Sequence, residues 1–389
     1  MQEDALLLNA SWVDYTLVAI YFLFVLGIGW AAKSKVSSSI DFFLSGRSLP
    51  AWVTGLAFIS ANLGAVEIVG MSANGVQYGF ETMHYFWIGA IPAMVFLGIV
   101  MMPFYYGSKV RSVPEFMRRR FGNGAHLVNA LSFALAQLLI AGATVTPLMD
   151  GSAEPNDAML YLMRDLLPNG LLGIALAGLL AAFMAGMAAN ISAFNTVFSY
   201  DLWQTYMVKD REDDYYTRVG RLATIGATVI AVFTALLASN FGNVMDYLQT
   251  LFGFFNAPLF ATFILGMFWK RMTPTAGWAG LVAGTGSAIV YWAIATFSAV
   301  EAGLFNLPGQ GTAFVAASLA FVVDILVSIV VSLVTKPKPD EELVGFVKSV
   351  TPKENLTDST EDGLPWYRRT VPLGVLCLVL VVILNIIFI

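Results

Sequence analysis

Apolar residues in this chain arrive in long unbroken runs, without the three-to-four spacing of a surface helix or the alternation of a half-buried strand. The stretch from Gly170 to Tyr206, GLLGIALAGLLAAFMAGMAANISAFNTVFSYDLWQTY, holds no charge before Asp201. At about 1.5 Å per residue, roughly twenty of its positions suffice to cross a hydrocarbon core about 30 Å thick. Comparable runs predict ten membrane helices, at 12–32, 51–73, 83–106, 126–147, 170–203, 216–238, 246–269, 275–299, 311–335 and 370–389. The fifth run is unusual. Gly178, Ala181, Ala182, Ala185, Gly186, Ala189 and Ser192 recur by threes and fours along one side, and such small residues let a neighbouring backbone come close. Asn190, Asn195, Thr196 and Ser199 add polar groups, which hydrocarbon tolerates only when they bond across helices or face a wet cavity. A close-packed buried span and an ion or solute pathway both fit this pattern.

The second run, WVTGLAFISANLGAVEIVGMSANGVQYG, departs differently. Asn62, Leu63 and Gly64 put an amide and a flexible glycine at mid-depth, and Glu67 follows one turn later. This predicts a broken helix, whose freed carbonyls and exposed helix ends suit a cation. A carboxyl in mid-membrane is a functional candidate; simple packing of Gly64 with a neutral or paired Glu67 is the alternative.

Composition agrees with the pattern. With 58% hydrophobic and 12% charged residues and a mean hydropathy of +0.72, the chain is too apolar for a water-soluble fold. The expected fold class is all-α, a polytopic membrane helix bundle of about ten spans. The net charge of −5 says little, because placement of Lys and Arg decides orientation. Lys33, Lys35 and Arg47 follow the first run, Lys109 to Arg120 the third, Lys209, Arg211 and Arg218 the fifth, and Lys270 and Arg271 the seventh. Lys336, Lys338, Lys348, Lys353, Arg368 and Arg369 separate the last two runs, while the alternate loops are acidic or uncharged. Both termini are therefore expected outside a cell membrane. The acidic start, MQEDALLLNAS, lacks the basic region of a cleaved signal, so the first run is expected to be a retained span.

The resulting parts are 1–147, the N-terminal spans with the broken helix; 148–169, an extracellular loop; 170–336, further spans; 337–369, a solvated cytoplasmic linker with no packed core; and 370–389, a terminal span. The one cysteine, Cys377, excludes an intrachain disulfide, and His84 and His126 at span ends suit an interface better than a metal. No nucleotide loop, catalytic triad or nucleic-acid surface is present, so neither an enzyme nor a nucleic-acid partner is expected. Pro258 should kink the seventh run, Gly277, Gly280 and Gly284 should form a packing face on the eighth, and Asp324 should pair with a neighbouring hydroxyl or amide.

Six segments together resemble the sodium:solute symporter family, which includes the sodium/sugar cotransporters. They are FFLSGRS (Phe42 to Ser48), SANLGAVEIVGMSANG (Ser60 to Gly75), SVPEFMRRRFG (Ser112 to Gly122), LLPNGLLG (Leu166 to Gly173), NTVFSYDLW (Asn195 to Trp203) and FWKRMTPTAGWAGLVAG (Phe268 to Gly284). The resemblance implies two inverted five-helix repeats, a solute held at mid-membrane between discontinuous helices, and sodium as the coupling ion nearby. On the matching positions, sodium would take carbonyls at Ser60 and Leu63 and oxygens at Ala182, Ala185 and Gly186. Solute contacts would fall on Asn62 and Glu67, with His84 and Tyr85 as further contacts or as an ordinary interfacial belt.

Two departures matter. Segments before about Ala141 resemble the family's beginning and those after about Leu148 its later half, so the inverted-repeat fold is expected to be incomplete, with a looser bundle and partly unpaired polar faces on the fifth span. Ala185 and Gly186 also stand where the family usually has hydroxyl residues, which weakens the sodium site by up to two ligands; the Ser60 hydroxyl could return one. The expected function is sodium-coupled symport of a sugar or similar small polar solute across the lipid bilayer. The alternatives are an internally deleted, transport-inactive member, and a proton-coupled or uncoupled carrier with Glu67 as the titrating group.

Overall fold

The computed structural model describes residues 8, 10–34, 39–44, 49–79, 82–145, 155–238, 241, 243–297, 307, 310–356, 361 and 363–388. Among them every regular element is helical. Nine helices are long and apolar enough to cross a membrane, and a bent pair supplies a tenth crossing. In chain order they are α1 (Trp12–Lys33), the short α2 (Ser39–Leu44), the pair α3 (Ala51–Asn62) and α4 (Ala65–Tyr78), and α5 (Thr82–Ser108). Then come the short α6 (Val113–Phe121), α7 (Asn123–Val145), the short α8 (Ala158–Leu166) and α9 (Leu171–Met207). The last five are α10 (Asp213–Ala238), α11 (Val244–Phe268), α12 (Pro274–Phe297), α13 (Gly311–Val334) and α14 (Thr370–Ile387). The predicted outer segments at 148–154 and around Glu301 lie outside the described residues, and 158–166 of the expected outer loop are helical.

The chain divides into two compact units. The first comprises residues up to Gln77, Ala130–Phe255 and Phe297–Val315; the second comprises Tyr78–Asn129, Asn256–Thr296 and Ala316 onward.

In the first unit, α9 packs against α1, α3 and α10. Its start is tied to that of α1 by Asp14. That carboxylate accepts from the N–H and hydroxyl of Ser11, at 2.8 and 2.6 Å, and from the N–H groups of Gly170 and Gly173, also at 2.8 and 2.6 Å. One acid thus satisfies orphan donors of two helix N-termini. Further along α9, Asn195 donates to Thr224 on α10 at 3.1 Å and accepts from Ser199 at 3.0 Å, so this polar face is paired, while Ser192 is exposed. Asn243, ahead of α11, donates to Asn74 of α4 at 2.5 Å, and Asn156 accepts from the N–H of Val244.

The second unit has a dense foot. Phe104, Phe116, Met117, Phe121, Phe263, Met267 and Met272 form one buried cluster of α5, α6, α11 and the turn before α12. Ser112 starts α6 by accepting the Glu115 N–H, and Gly122 ends it. The three glycines of α12 pack as expected: a methyl added at Gly277 would meet the Phe121 ring, at Gly280 Ser328 and Asp324, and at Gly284 Pro258 and the Ala320 carbonyl. Asp324 accepts from the hydroxyls of Thr262 at 2.8 Å and Ser328 at 3.1 Å.

The segment 337–369 is not the solvated linker its charges suggested. Leu343 and Val347 are fully buried, Phe346 and Leu356 pack on the foot, and the Lys348 N–H bonds the Met267 carbonyl at 2.8 Å. The reason is local. Leu343, Phe346 and Val347 stand at helical spacing inside a charged stretch, and here, unlike in the spans, burial removes apolar surface from water.

Candidate functional site

The break sits where Asn62-Leu63-Gly64 placed it. Helix α3 closes with the Leu63 N–H on the Ile59 carbonyl at 2.8 Å, Leu63 turns to φ −102° and ψ 60°, and α4 leaves at 46° to α3. The next bond of the ladder runs from the Ile68 N–H to the Gly64 carbonyl, and among the described residues no backbone N–H is seen on the carbonyls of Ser60 to Leu63. Four bare oxygens at a helix C-terminus make a negative end. On the other side of the break, the Glu67 carboxyl turns back toward Gly64. Gly64 stands at the N-cap position and Glu67 at the third residue of α4, where an acid suits the positive end of a helix.

Close approach explains the glycine. A methyl group at Gly64 would lie 2.6 Å from Glu67 Oε2, so a side chain there would displace that carboxyl. A methyl group on Gly186 of α9 would lie 3.6 Å from Gly64 Cα, in ordinary contact. The small-residue face of α9 thus meets the unwound segment backbone to backbone, with Gly186 buried and Ala182 and Ala185 half-buried on the same helix. Ser60 and Asn62 are exposed on α3, and the Asn62 amide donates to the Phe58 carbonyl of its own helix at 2.9 Å. The first unit thus brings Gly64 against Glu67 and Gly186, while Ser60, Asn62 and Leu63 beside it are exposed.

His84 is placed elsewhere. It lies in the second unit, where its Nδ1 is 2.8 Å from Asn385 Oδ1 and its Nε2 2.7 Å from the Phe388 carbonyl, both of the terminal helix region. Both ring nitrogens thus face acceptors of the α14 region. The Tyr85 side chain lies outside the described residues. No group of three or more His, Cys, Asp or Glu converges as a metal site among the described residues. Any cation held at the break would therefore rest on carbonyls and hydroxyls, the oxygen ligands of a hard ion.

A second buried charge escaped notice in the sequence. Arg120 of α6 is fully buried, its Nε donating to the Gly266 carbonyl at 2.9 Å and its Nη2 to Trp269 and Met272 at 3.3 and 3.2 Å. It caps the C-terminal end of α11. Burial pulls the guanidinium down to about 10, and it stays charged at neutral pH. The amphipathic spacing of Phe116, Met117, Arg120 and Phe121 was the available signal.

The broken crossing, with its unwound backbone against a lean helix, is the arrangement the family resemblance implied. A model of the sodium:solute symporter family matches residues 42–153 and 140–284, more than half of the chain. The chain belongs to the sodium:solute symporter family. Its two matched blocks overlap at 140–153, the stretch between the early and late family segments of the sequence. The sodium/glucose cotransporter of Vibrio parahaemolyticus is 29% identical over 185 residues, 46% of this chain and 33% of that protein. Sodium/glucose cotransporter 1 of Oryctolagus cuniculus is 31% identical over 195 residues, 48% of this chain and 29% of that protein. The chain thus spans about a third of the length of these relatives. A solved structure of a substrate-bound, outward-open Na+-coupled sialic acid symporter superposes with a TM-score of 0.65 at 12% identity, covering 84% of this chain and 98% of the other. At that identity the likeness shows the fold alone. The chain is a multi-pass membrane protein of a transporter family, not of an enzyme family.

Proposed function

We propose that this symporter-family chain is a secondary transporter that couples sodium to the movement of a small polar solute, a sugar being the first candidate. The observation that carries this is the break after α3, where Gly64 meets Gly186 of α9 backbone to backbone. Sodium would rest on the Ser60 and Leu63 carbonyls with help from Ala182, Ala185 and Gly186; Asn62 and Glu67 would meet the solute. The names of the cotransporter relatives support sodium and sugar. The Glu67 carboxyl lies back against Gly64 in the first turn of α4, a structural place for the acid that favours sodium over a proton as the coupling ion. The distribution of the basic loops supports both termini lying outside.

The test is uptake into proteoliposomes. Labelled glucose and sialic acid are offered under an inward sodium gradient, a choline gradient and a proton gradient. Accumulation that requires sodium is the expected result; accumulation under the proton gradient alone overturns the choice of ion.

The transport-inactive reading has its own support. Helix α3 has no buried residue, and the chain spans about a third of its relatives. No sodium-dependent uptake of any solute, together with no stabilisation of the purified chain by sodium, would select it.

A further inference from the structure

Near the middle of α13, Asp324 is fully buried, and so are the two side chains that reach it, Thr262 of α11 and Ser328 one turn along α13. Thr262 Oγ1 lies 2.8 Å from Asp324 Oδ2, while Ser328 Oγ lies 3.1 Å from Oδ1 and 3.4 Å from the Ala276 carbonyl of α12. The third wall is backbone. A methyl group at Gly280 would collide with Ser328 Oγ and lie 2.7 Å from Asp324 Oδ1, and one at Gly284 would lie 3.1 Å from Asp324 Cβ. Three spans of the second unit thus close on one carboxyl, which the proposed transport site does not use.

An ionised carboxyl here would have no counter-charge. Over the stretches packed against it, Asn256–Phe268, Pro274–Phe297 and Gly311–Val334, the only other titratable side chain is that of Tyr291, about 16 Å along α12 from Gly280. The cations of the adjoining turn are engaged at the helix ends: Arg271 donates to the Leu333 and Thr335 carbonyls, and Lys270 pairs with Asp340. Two neutral hydroxyls do not compensate a charge inside a membrane bundle, so the carboxyl must take up a cation or a proton.

Counting hydrogens selects the proton. A hydroxyl owns one hydrogen, and the Ser328 hydrogen faces two acceptors, Asp324 Oδ1 and the Ala276 carbonyl. With a proton on Oδ1, the acid donates to Ser328 Oγ, Ser328 donates on to Ala276, and Thr262 donates to Oδ2. Every contact then has its hydrogen. A metal ion would need several oxygens around a shared centre, whereas these are spaced for hydrogen bonds and the Gly280 backbone closes the remaining side. We propose that Asp324 is a proton-binding site: it holds its proton at neutral pH, and the neutral acid joins α11, α12 and α13 in the membrane interior.

Infrared spectroscopy of the purified chain in lipid tests this, with isotope-labelled aspartate to assign the bands. At neutral pH the wild type should show the carbonyl stretch of a protonated, hydrogen-bonded acid that shifts with the label and is lost in Asp324→Asn. Thr262→Val, which removes one donor, should shift the same band, and it assigns the band should Asp324→Asn fail to fold. Asp324→Asn keeps one donor and one acceptor and should hold the neutral-pH thermal midpoint; Asp324→Leu leaves both hydroxyls without their partner and should lower it. As pH rises, the wild type should lose midpoint more steeply than Asp324→Asn, because the folded chain alone depends on the bound proton. A labelled spectrum with no protonated acid at neutral pH, a protonated band that neither variant alters, or a midpoint raised by sodium in the wild type but not in Asp324→Asn would overturn the proposal.

Discussion

Two helix ends in this protein face the same problem and meet it in opposite ways. At the C-terminus of α11, the carbonyls of Gly266, Trp269 and Met272 are covered by the guanidinium of Arg120, a cation the chain carries with it. At the C-terminus of α3, the carbonyls of Ser60 to Leu63 receive no backbone N–H among the described residues. Around Arg120 the packing is dense and aromatic; around the break, α3 buries none of its residues and its nearest backbone neighbour is a glycine. A resident cation makes a joint, while an uncovered set of oxygens leaves a place for an ion that comes and goes.

Perturbing each end should separate these roles. The largest effect is expected at the joint. Arg120→Ala strips three carbonyls of their donor inside a buried cluster and should cost about 4 kcal/mol, read as a large drop in thermal midpoint in detergent. Arg120→Lys should recover little, because an ammonium cannot reproduce the fork. A wild-type midpoint for Arg120→Ala would mean that the cap is decorative.

At the break, Gly186→Leu should force α9 off Gly64, costing about 2 kcal/mol and abolishing any sodium-dependent signal. Gly186→Ala should be tolerated, since its methyl meets Gly64 Cα at 3.6 Å. If both variants behave alike, the backbone contact is not what matters.

Ala185→Ser would return a hydroxyl to the proposed ion site, and about a tenfold tighter apparent sodium affinity is expected, worth roughly 1.4 kcal/mol. Unchanged or weaker sodium response would remove Ala185 from the site.

Glu67→Ala, which empties the acid from the third position of α4, should cost about 1 kcal/mol, whereas Glu67→Gln, alike in shape, should fold nearly as well. Loss of uptake in the Gln variant at unchanged stability would give the charge a transport role beyond its place in the helix.

The smallest effect belongs to Glu115 in the foot. Burial alone would raise this carboxyl, but the Arg111 N–H and then the hydrogen bond and charge of Arg119 outweigh it and hold the group below its ordinary 4.5. Because the folded value is the lower one, its contribution is complete above 4.5 and fades as pH falls through the folded value. The destabilisation by Glu115→Gln, under about 1 kcal/mol at neutral pH, should therefore vanish in strong acid. A difference that persists there would show that the charge is not its source.

The spans and the break were legible because each rests on a strong local signal: uninterrupted apolar runs, and an amide beside a glycine at mid-depth. The lean face of α9 was legible for the same reason, and so was the hydroxyl pairing of Asp324. What stayed hidden depends on context. Lys and Arg counts treat every loop cation as solvated, so Arg120 read as an orientation signal and not as a cap. Averaging over 337–369 concealed Leu343, Phe346 and Val347 within their charged neighbours. His84 carried two readings in the sequence, and neither named its partners on the terminal helix. Asp14 stands three residues after Ser11, a capping signature, but nothing local announces that Gly170 and Gly173 share its carboxylate.

That shared carboxylate has a consequence for biosynthesis. Asp14 leaves the ribosome 156 residues ahead of Gly170, a delay of roughly 8 to 30 seconds at ordinary rates of translation. Throughout that interval the acid has only Ser11 and water to serve it, so the first helix must wait with its entry at the aqueous boundary. The arrival of α9 draws the carboxylate into the protein, and α1 becomes fixed only when a helix made much later has been threaded beside it.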